Sequence, residues 1–381
     1  MTQQPFAPPD RLLLGPGPSP VAPSVLRALS LPTVGHLDPE LFGAMDQIRA
    51  NLRVILGTQN AATLAVSGTG TSGMEAVLCN LIEPGDGVLV ATHGYFGARI
   101  AQIAERCGGD VTRVDAPWGE ASDPAAARAA AQGKRIRVLA VVHAETSTGV
   151  RQDLAPWGEL ARELGALLCV DAVTSLGCLP IEVDRHGVDG IWSCTQKGLS
   201  STPGLAPVSF SPRALERIRA RRSVVQSFYL DLQLLLEFWD APHGYHHTIS
   251  SNLLYGLHEA TRLVVEEGLS ERFERHQRTS RAFLALAREL GLSPFVRDEL
   301  RLPQLTTLRI PDGVDDLVVR KRLLLEHGIE IGGGLGALKG KLWRVGLMGH
   351  GADERNAQRC AAALGALLGS RVGSASARGG Q

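Results

Sequence analysis

Two residues of opposite charge close apolar runs in this sequence. Residues 188–197, VDGIWSCTQK, read as a short apolar strand that ends in Lys197, and the GLSSTPG that follows reads as loop. Residues 166–171, ALLCVD, read as a second buried strand that ends in Asp171. An open α/β sheet collects its chemistry at the carboxyl ends of its strands. The chain has only five lysines, Lys134, Lys197, Lys321, Lys339 and Lys341, against a large excess of arginine, so a lysine beside an apolar strand is not surface filler. An amine forms an imine with an aldehyde only when deprotonated, and a desolvated site near other positive charge lowers a lysine's pKa enough to permit it. Pyridoxal phosphate needs such a lysine, together with a carboxylate that keeps its ring nitrogen protonated. Lys197 and Asp171 are therefore a matched pair. Taken singly each has a plainer reading, a lysine snorkelling from a strand end and an aspartate capping a turn.

The elements that would position this pair alternate regularly. Residues 39–56 have helical spacing, with Leu41, Met45, Ile48, Leu52 and Ile55 on one face. Strands at 87–91, 111–114, 137–142 and 166–170 alternate with helices at 96–107, 124–131 and 154–164, the order of a mostly parallel sheet covered on both faces. Phe96, Glu145, Thr146, Asp171 and Lys197 then gather along one edge. Phe96 is placed either to stack on a flat ring or to serve as a core aromatic at a helix start. Before them, a strand meets the loop Ser67-Gly68-Thr69-Gly70-Thr71, with a helix expected from about Ser72. Glycines admit an anion to the backbone, and the helix start supplies free N–H groups and a positive dipole end. The same residues also serve as ordinary caps, and no Walker or dinucleotide pattern follows.

Downstream of Ser211 the pattern turns helical, at 213–222, 230–238, 252–267 and 270–290, and a smaller α/β unit follows. That unit reads as a strand at 306–310, a helix at 316–327, a strand at 329–331, a glycine-rich turn at 332–336, a strand at 341–346 and a helix at 353–368. Arg344, between Trp343 and Val345, is either half of a structural ion pair or a guanidinium held for a ligand carboxylate. The loop HGYHHT, 243–248, carries three histidines, but two are adjacent and no carboxylate or cysteine stands at ligand spacing; a polar loop reaching a neighbouring subunit is expected and no metal.

Composition sets the outer bounds. The 381 residues predict two or three domains, and 44% apolar content supports a real core. A net charge of zero argues against nucleic acid or an anionic membrane as partner. No apolar stretch approaches a membrane span, and MTQQPFAPPD lacks the regions of a signal peptide, so the expected location is cytoplasmic. The six cysteines read as small core residues. Gly15-Pro16-Gly17-Pro18 reads as a fixed turn that packs against the body.

The motifs taken together resemble the fold-type I, class V aminotransferases, and most of all the alanine–glyoxylate and serine–pyruvate or serine–glyoxylate aminotransferase group. The resemblance runs over about residues 11–369. It is carried by LLLGPGPSP, SGTGTSGMEAVLCN, HAETSTGV, LLCVDAVTSLG, CTQKGLSSTPG, SFYLD, YHHT, GGGLG and LWRVGL. It implies a large pyridoxal phosphate-binding domain (21–265) with a seven-stranded-type, mostly parallel sheet. An arm precedes it (1–20), and a small C-terminal α/β domain (266–370) and a disordered tail (371–381) follow. It implies that Lys197 forms the imine with pyridoxal 5'-phosphate and that Asp171 partners the pyridine nitrogen. Phe96 stacks on the ring, Thr146 bonds its phenolic oxygen, and Thr69, Gly70, Thr71 and Gln196 bind phosphate. Tyr245 and Thr248 reach the phosphate of the other subunit, so a homodimer with shared sites is expected. Arg344 takes the substrate α-carboxylate, beside Gly17 and Thr146. Phe96 replaces the family's commoner tryptophan, and Thr71 stands where some relatives carry histidine.

The activity so implied is two-stage transamination of a small amino acid, alanine or serine, with glyoxylate or pyruvate. Two other readings compete. One is a lyase or desulfurase on the same fold, which would want a cysteine on a mobile loop; residues 326–351 contain none. The other is a non-catalytic subunit, against which Lys197, Asp171 and Arg344 all count.

Overall fold

The structure, a computed structural model, describes residues 4–376. Its centre is a seven-stranded sheet built from β1 (Ala62–Gly68), β2 (Gly87–Thr92), β3 (Asp110–Asp115), β4 (Ile136–Val142), β5 (Leu167–Asp171), β6 (Gly190–Trp192) and β7 (Gly204–Phe210). The spatial order is β1-β7-β6-β5-β4-β2-β3. Strand β7 is antiparallel to both its neighbours, and every other pair that is hydrogen-bonded runs parallel. Strands β4 and β5 are buried almost throughout, as expected for parallel strands covered on both faces.

Three local expectations are corrected. The lysine-bearing strand ends at Trp192, not at Lys197. Ser193 N–H still donates to Pro207 O at 2.8 Å, but the chain then folds back, with Ser201 N–H on Thr195 O and Ser200 N–H on Lys197 O, both at 3.0 Å. Strand β7 lies just past the segment read as loop. Its Pro207 sits within the run, and a proline there removes a ladder donor and ordinarily demotes a strand. The helix after β1 starts at Gly70 rather than near Ser72, with Thr69 in the capping position.

The smaller C-terminal unit has an antiparallel sheet in which Leu342–Gly346 lies between Leu305–Arg309 and Gly332–Gly333. Part of the glycine-rich turn is thus a short strand whose Gly332 pairs with Arg344. Leu12–Leu13 pairs in parallel with Ile329–Glu330, and Leu14 is buried in the core formed by Phe283, Leu323, Trp343 and Leu364. A separate, larger core fills the space around the seven-stranded sheet. The last helix, Glu354–Ser376, runs on into residues assigned above to a disordered tail; residues 377–381 of that tail lie outside the described residues. Among the described residues no helix is long and apolar enough to cross a membrane. All six cysteines are free and buried.

Candidate active site

Lys197 occupies the turn after β6 and is held there through its backbone. Ser19 Oγ donates to Lys197 O at 2.7 Å, and Arg272, itself buried, donates from Nε to Gly177 O at 2.8 Å and from Nη2 to Gly198 O. The side chain is 7% exposed. Its Nζ lies 2.9 Å from Thr146 Oγ1 and 2.8 Å from Thr174 Oγ1, and among the described residues no carboxylate forms an ion pair with it. Burial holds the amine below the ordinary lysine value of 10.5. Asp171 and Glu145 oppose that shift and Arg344 reinforces it. The Cys194 thiol also bears on the amine, but burial pushes it up to about 12, so it is neutral near physiological pH and exerts little pull there.

Asp171 ends β5 and is 2% exposed. Its Oδ1 accepts from Val173 N–H at 2.8 Å, whereas Oδ2 is buried without a hydrogen-bond partner. The Trp192 indole N–H is near enough to draw the carboxyl's pKa down somewhat, yet it too is left without a bonded partner, so the contact falls short of hydrogen-bond geometry. Burial dominates and pushes the carboxyl up to about 6. A buried acceptor left unsatisfied costs about 1–3 kcal/mol, which a ligand with an N–H in this position would recover. That orphaned oxygen, opposite a lysine with no counter-ion, fits the pyridine nitrogen of pyridoxal phosphate.

Phe96 stands in the first turn of the helix Tyr95–Arg106. The buried Glu145 ties that helix start down: Oε2 accepts from the N–H groups of Phe96 (3.1 Å) and Gly97 (3.3 Å), and Oε1 from Ser147 N–H (2.9 Å) and Oγ–H (2.6 Å). Ser147 Oγ in turn accepts from Tyr95 N–H at 2.9 Å. The Phe96 ring is thereby fixed with its centroid 5.8 Å from Lys197 Nζ. The Arg99 guanidinium lies 4.9 Å from the same ring and donates to Thr71 Oγ1 at 3.2 Å. Thr69, at the helix cap, is exposed and makes no side-chain capping bond, so its hydroxyl is available to an anion at the helix start. Gly70 is closely packed: a Cβ there would come within 3.1 Å of Val173 and 3.2 Å of Cys194.

Arg344 is 7% exposed, and its Nε donates to Gly333 O at 2.7 Å and Nη1 to Thr146 O at 3.2 Å. Among the described residues no carboxylate pairs with it, which removes the structural ion pair as its role. Desolvation lowers its pKa to about 10, leaving it charged at neutral pH. Gly17 adopts φ +113°, and a Cβ there would stand 3.0 Å from Lys197 Cε, so the early turn packs on the lysine and has to be glycine.

The structure therefore brings Lys197, Thr146, Asp171, Phe96, Arg344 and Gly17 to one place, with Thr69, Gly70 and Thr71 at the adjoining helix start. Gln196 is part-buried with its Oε1 unpartnered. Tyr245 and Thr248 stand apart. Tyr245 is 68% exposed against His36, Thr248 is exposed, and neither bonds to residues 69–71 of its own chain. In the same loop His247 bonds Ser67 Oγ at 2.7 Å. Sequence reasoning missed Thr174, Gln304 and Arg99. Thr174 carried one signal, its place three residues after Asp171 in a turn of the DAVTS run.

The family profile described as aminotransferase class-V matches residues 21–342. The alanine–glyoxylate aminotransferase of Rattus norvegicus is 41% identical over 366 residues, covering 95% of this chain and 88% of that one. The (S)-ureidoglycine–glyoxylate transaminase of Bacillus subtilis (strain 168) is 38% identical over 378 residues, 94% of this chain and 91% of that one. The crystal structure of an alanine–glyoxylate aminotransferase from Nostoc sp. superposes with a TM-score of 0.95 at 49% identity, covering 97% of this chain and 98% of that one. With this fold and a site that fits the cofactor, the chain belongs to the class V aminotransferases, pyridoxal phosphate-dependent enzymes of fold type I.

Proposed function

We propose that this aminotransferase passes the amino group of a small L-amino acid, alanine or serine, to glyoxylate or pyruvate in two half-reactions at one site. The observation that carries the reading is the buried Lys197 amine, bonded only to hydroxyls and facing a buried carboxylate with a free oxygen. The names of similar proteins, alanine–glyoxylate and ureidoglycine–glyoxylate aminotransferases, support glyoxylate as acceptor.

Bound pyridoxal phosphate supplies an aldehyde for the Lys197 amine and a ring that takes up the electron pair left on the substrate α-carbon. Asp171 Oδ2 would accept a hydrogen bond from the ring N–H, so that the nitrogen keeps its proton. Phe96 supports its face and Thr146 its phenolic oxygen. The helix start at Thr69, Gly70 and Thr71, with Gln196, holds the phosphate. Arg344 binds the substrate carboxylate through its free guanidinium edge, with Gly17 and Thr146 beside it. Lys197 Nζ, once released, takes the α-proton and returns it at the adjacent carbon. Tyr245 and Thr248, exposed on their own chain, reach the phosphate of a second copy, and the enzyme acts as a cytoplasmic homodimer.

Lys197→Ala abolishes turnover and the yellow absorbance of the cofactor-loaded protein; turnover that survives refutes the assignment. Arg344→Ala lowers kcat/KM about a hundredfold for amino and keto acid alike, and an unchanged value removes its role. A panel of amino donors against glyoxylate and pyruvate tests the substrates, and a preference for a dicarboxylic or aromatic donor overturns them. Tyr245→Phe protein mixed with Lys197→Ala protein regains activity if the sites are shared, and gains nothing if each copy is complete.

A further inference from the structure

Three buried polar atoms close a triangle at the lysine. Nζ contacts Thr146 Oγ1 and Thr174 Oγ1, and the two hydroxyls contact each other. Thr146 already has a use in the reading above, the phenolic oxygen of the cofactor. Thr174 has none, yet it is 0% exposed and its backbone is pinned: its carbonyl accepts from Gln304 Nε2 at 2.8 Å, across from the C-terminal sheet. The other groups facing the amine are Asp171 and Glu145 at the strand ends, Cys194 on its own loop, Arg344 from the C-terminal sheet and the Phe96 ring. The ring nitrogen occupies Asp171 and the substrate carboxylate occupies Arg344. Glu145 already accepts four bonds elsewhere. A lysine that takes a proton from substrate becomes an ammonium in a dry site, and a buried cation needs an acceptor. Hydroxyl oxygens bond a charged donor about twice as strongly as a neutral one.

We infer that Thr174 is a positioning residue that acts through Lys197: its hydroxyl is the acceptor on which the freed amine rests while it carries the α-proton. The proton moves from the substrate α-carbon to Nζ, the bond to carbon leaving its electron pair to the cofactor, and then from Nζ to the neighbouring carbon. Thr174 loses and gains nothing; it steadies the charged form and fixes its direction. The inference rests on Lys197 being the cofactor's lysine, and it departs from the family pattern given above, which assigns nothing to this position.

The test uses full-length protein freed of cofactor and trace-labelled with acetic anhydride across a pH series. The reagent acylates only neutral amines, and the Lys197 peptide is compared by mass with that of Lys134. Thr174→Val lowers the labelling midpoint, so that below it Lys197 labels about three- to tenfold faster than in the wild type; Thr174→Ser restores the wild-type midpoint. In the loaded enzyme, Thr174→Val raises the α-deuterium isotope effect on the half-reaction with amino donor. Thr174→Ala stands in should the valine protein not fold, with the same expected direction. An unmoved midpoint, or a serine variant that shifts as far as valine, overturns the inference. Wild-type Lys197 that pyridoxal phosphate fails to protect from labelling would instead sink the cofactor reading, whatever the variants do.

Discussion

Burial moves the Asp171 carboxyl from 3.8 up to about 6, and that shift has a sign in stability. The folded, cofactor-free protein binds more protons than the unfolded chain between those two values. The penalty from this one group is therefore absent below the lower value, grows as pH rises from there through about 6, and is constant above. Asp171→Asn abolishes that penalty: we expect cofactor-free protein about 3 kcal/mol more stable in urea unfolding at pH 8, with little gain at pH 4, together with much weaker pyridoxal phosphate binding. Equal curves at both pH values would contradict it. Lys197 and Asp171 were legible in the sequence because each closed an apolar run and lysine is rare in this chain. Glu145 was legible only as a polar residue at a strand end. Thr174 was not, because a threonine in a turn has many ordinary uses and its value lies in a contact made across the fold.

At the scale of the element, the helix Tyr95–Arg106 carries Phe96 but does not aim it by itself; Glu145 does, by accepting from both sides of its carboxylate. Glu145→Gln leaves one oxygen and turns an NH2 toward N–H or O–H donors. We expect a loss of about 1–3 kcal/mol in thermal or urea unfolding and weaker cofactor binding by equilibrium dialysis. A variant with unchanged cofactor affinity would show that Phe96 is aimed by something else. Helix and strand order was readable from periodicity, including the helix Asp316–His327. What escaped were elements whose local signals point the wrong way: β7 with its internal proline, Gly332–Gly333 as a strand, and a lysine placed by a back-turned loop that distant residues such as Ser19 and Arg272 help to hold.

At the scale of the whole molecule, an arginine–glutamate cluster ties the lysine loop to the C-terminal unit. Glu267 bonds Arg272 and Arg275, and those arginines bond Gly177, Gly198, Gly349 and Ala352 carbonyls. Burial alone would raise the Glu267 carboxyl, but the two guanidinium groups outweigh it and hold it below 4.5. Its contribution is thus present above the unfolded value and lost as pH falls through the lower, folded one. Glu267→Gln should cost about 1–3 kcal/mol at pH 7 and progressively less in acid, read by chemical unfolding; a pH-independent cost would point to shape rather than charge. The segment holding Gly17 against Lys197 is anchored on two sides, at Gly328, Glu330 and Gly346 of the C-terminal unit and, through Ser19, at Gln196 and Lys197 of the lysine loop. A nascent chain that already carries the large sheet and its lysine can therefore seat one side of that turn, while the other side waits until residues 328–346 have been made.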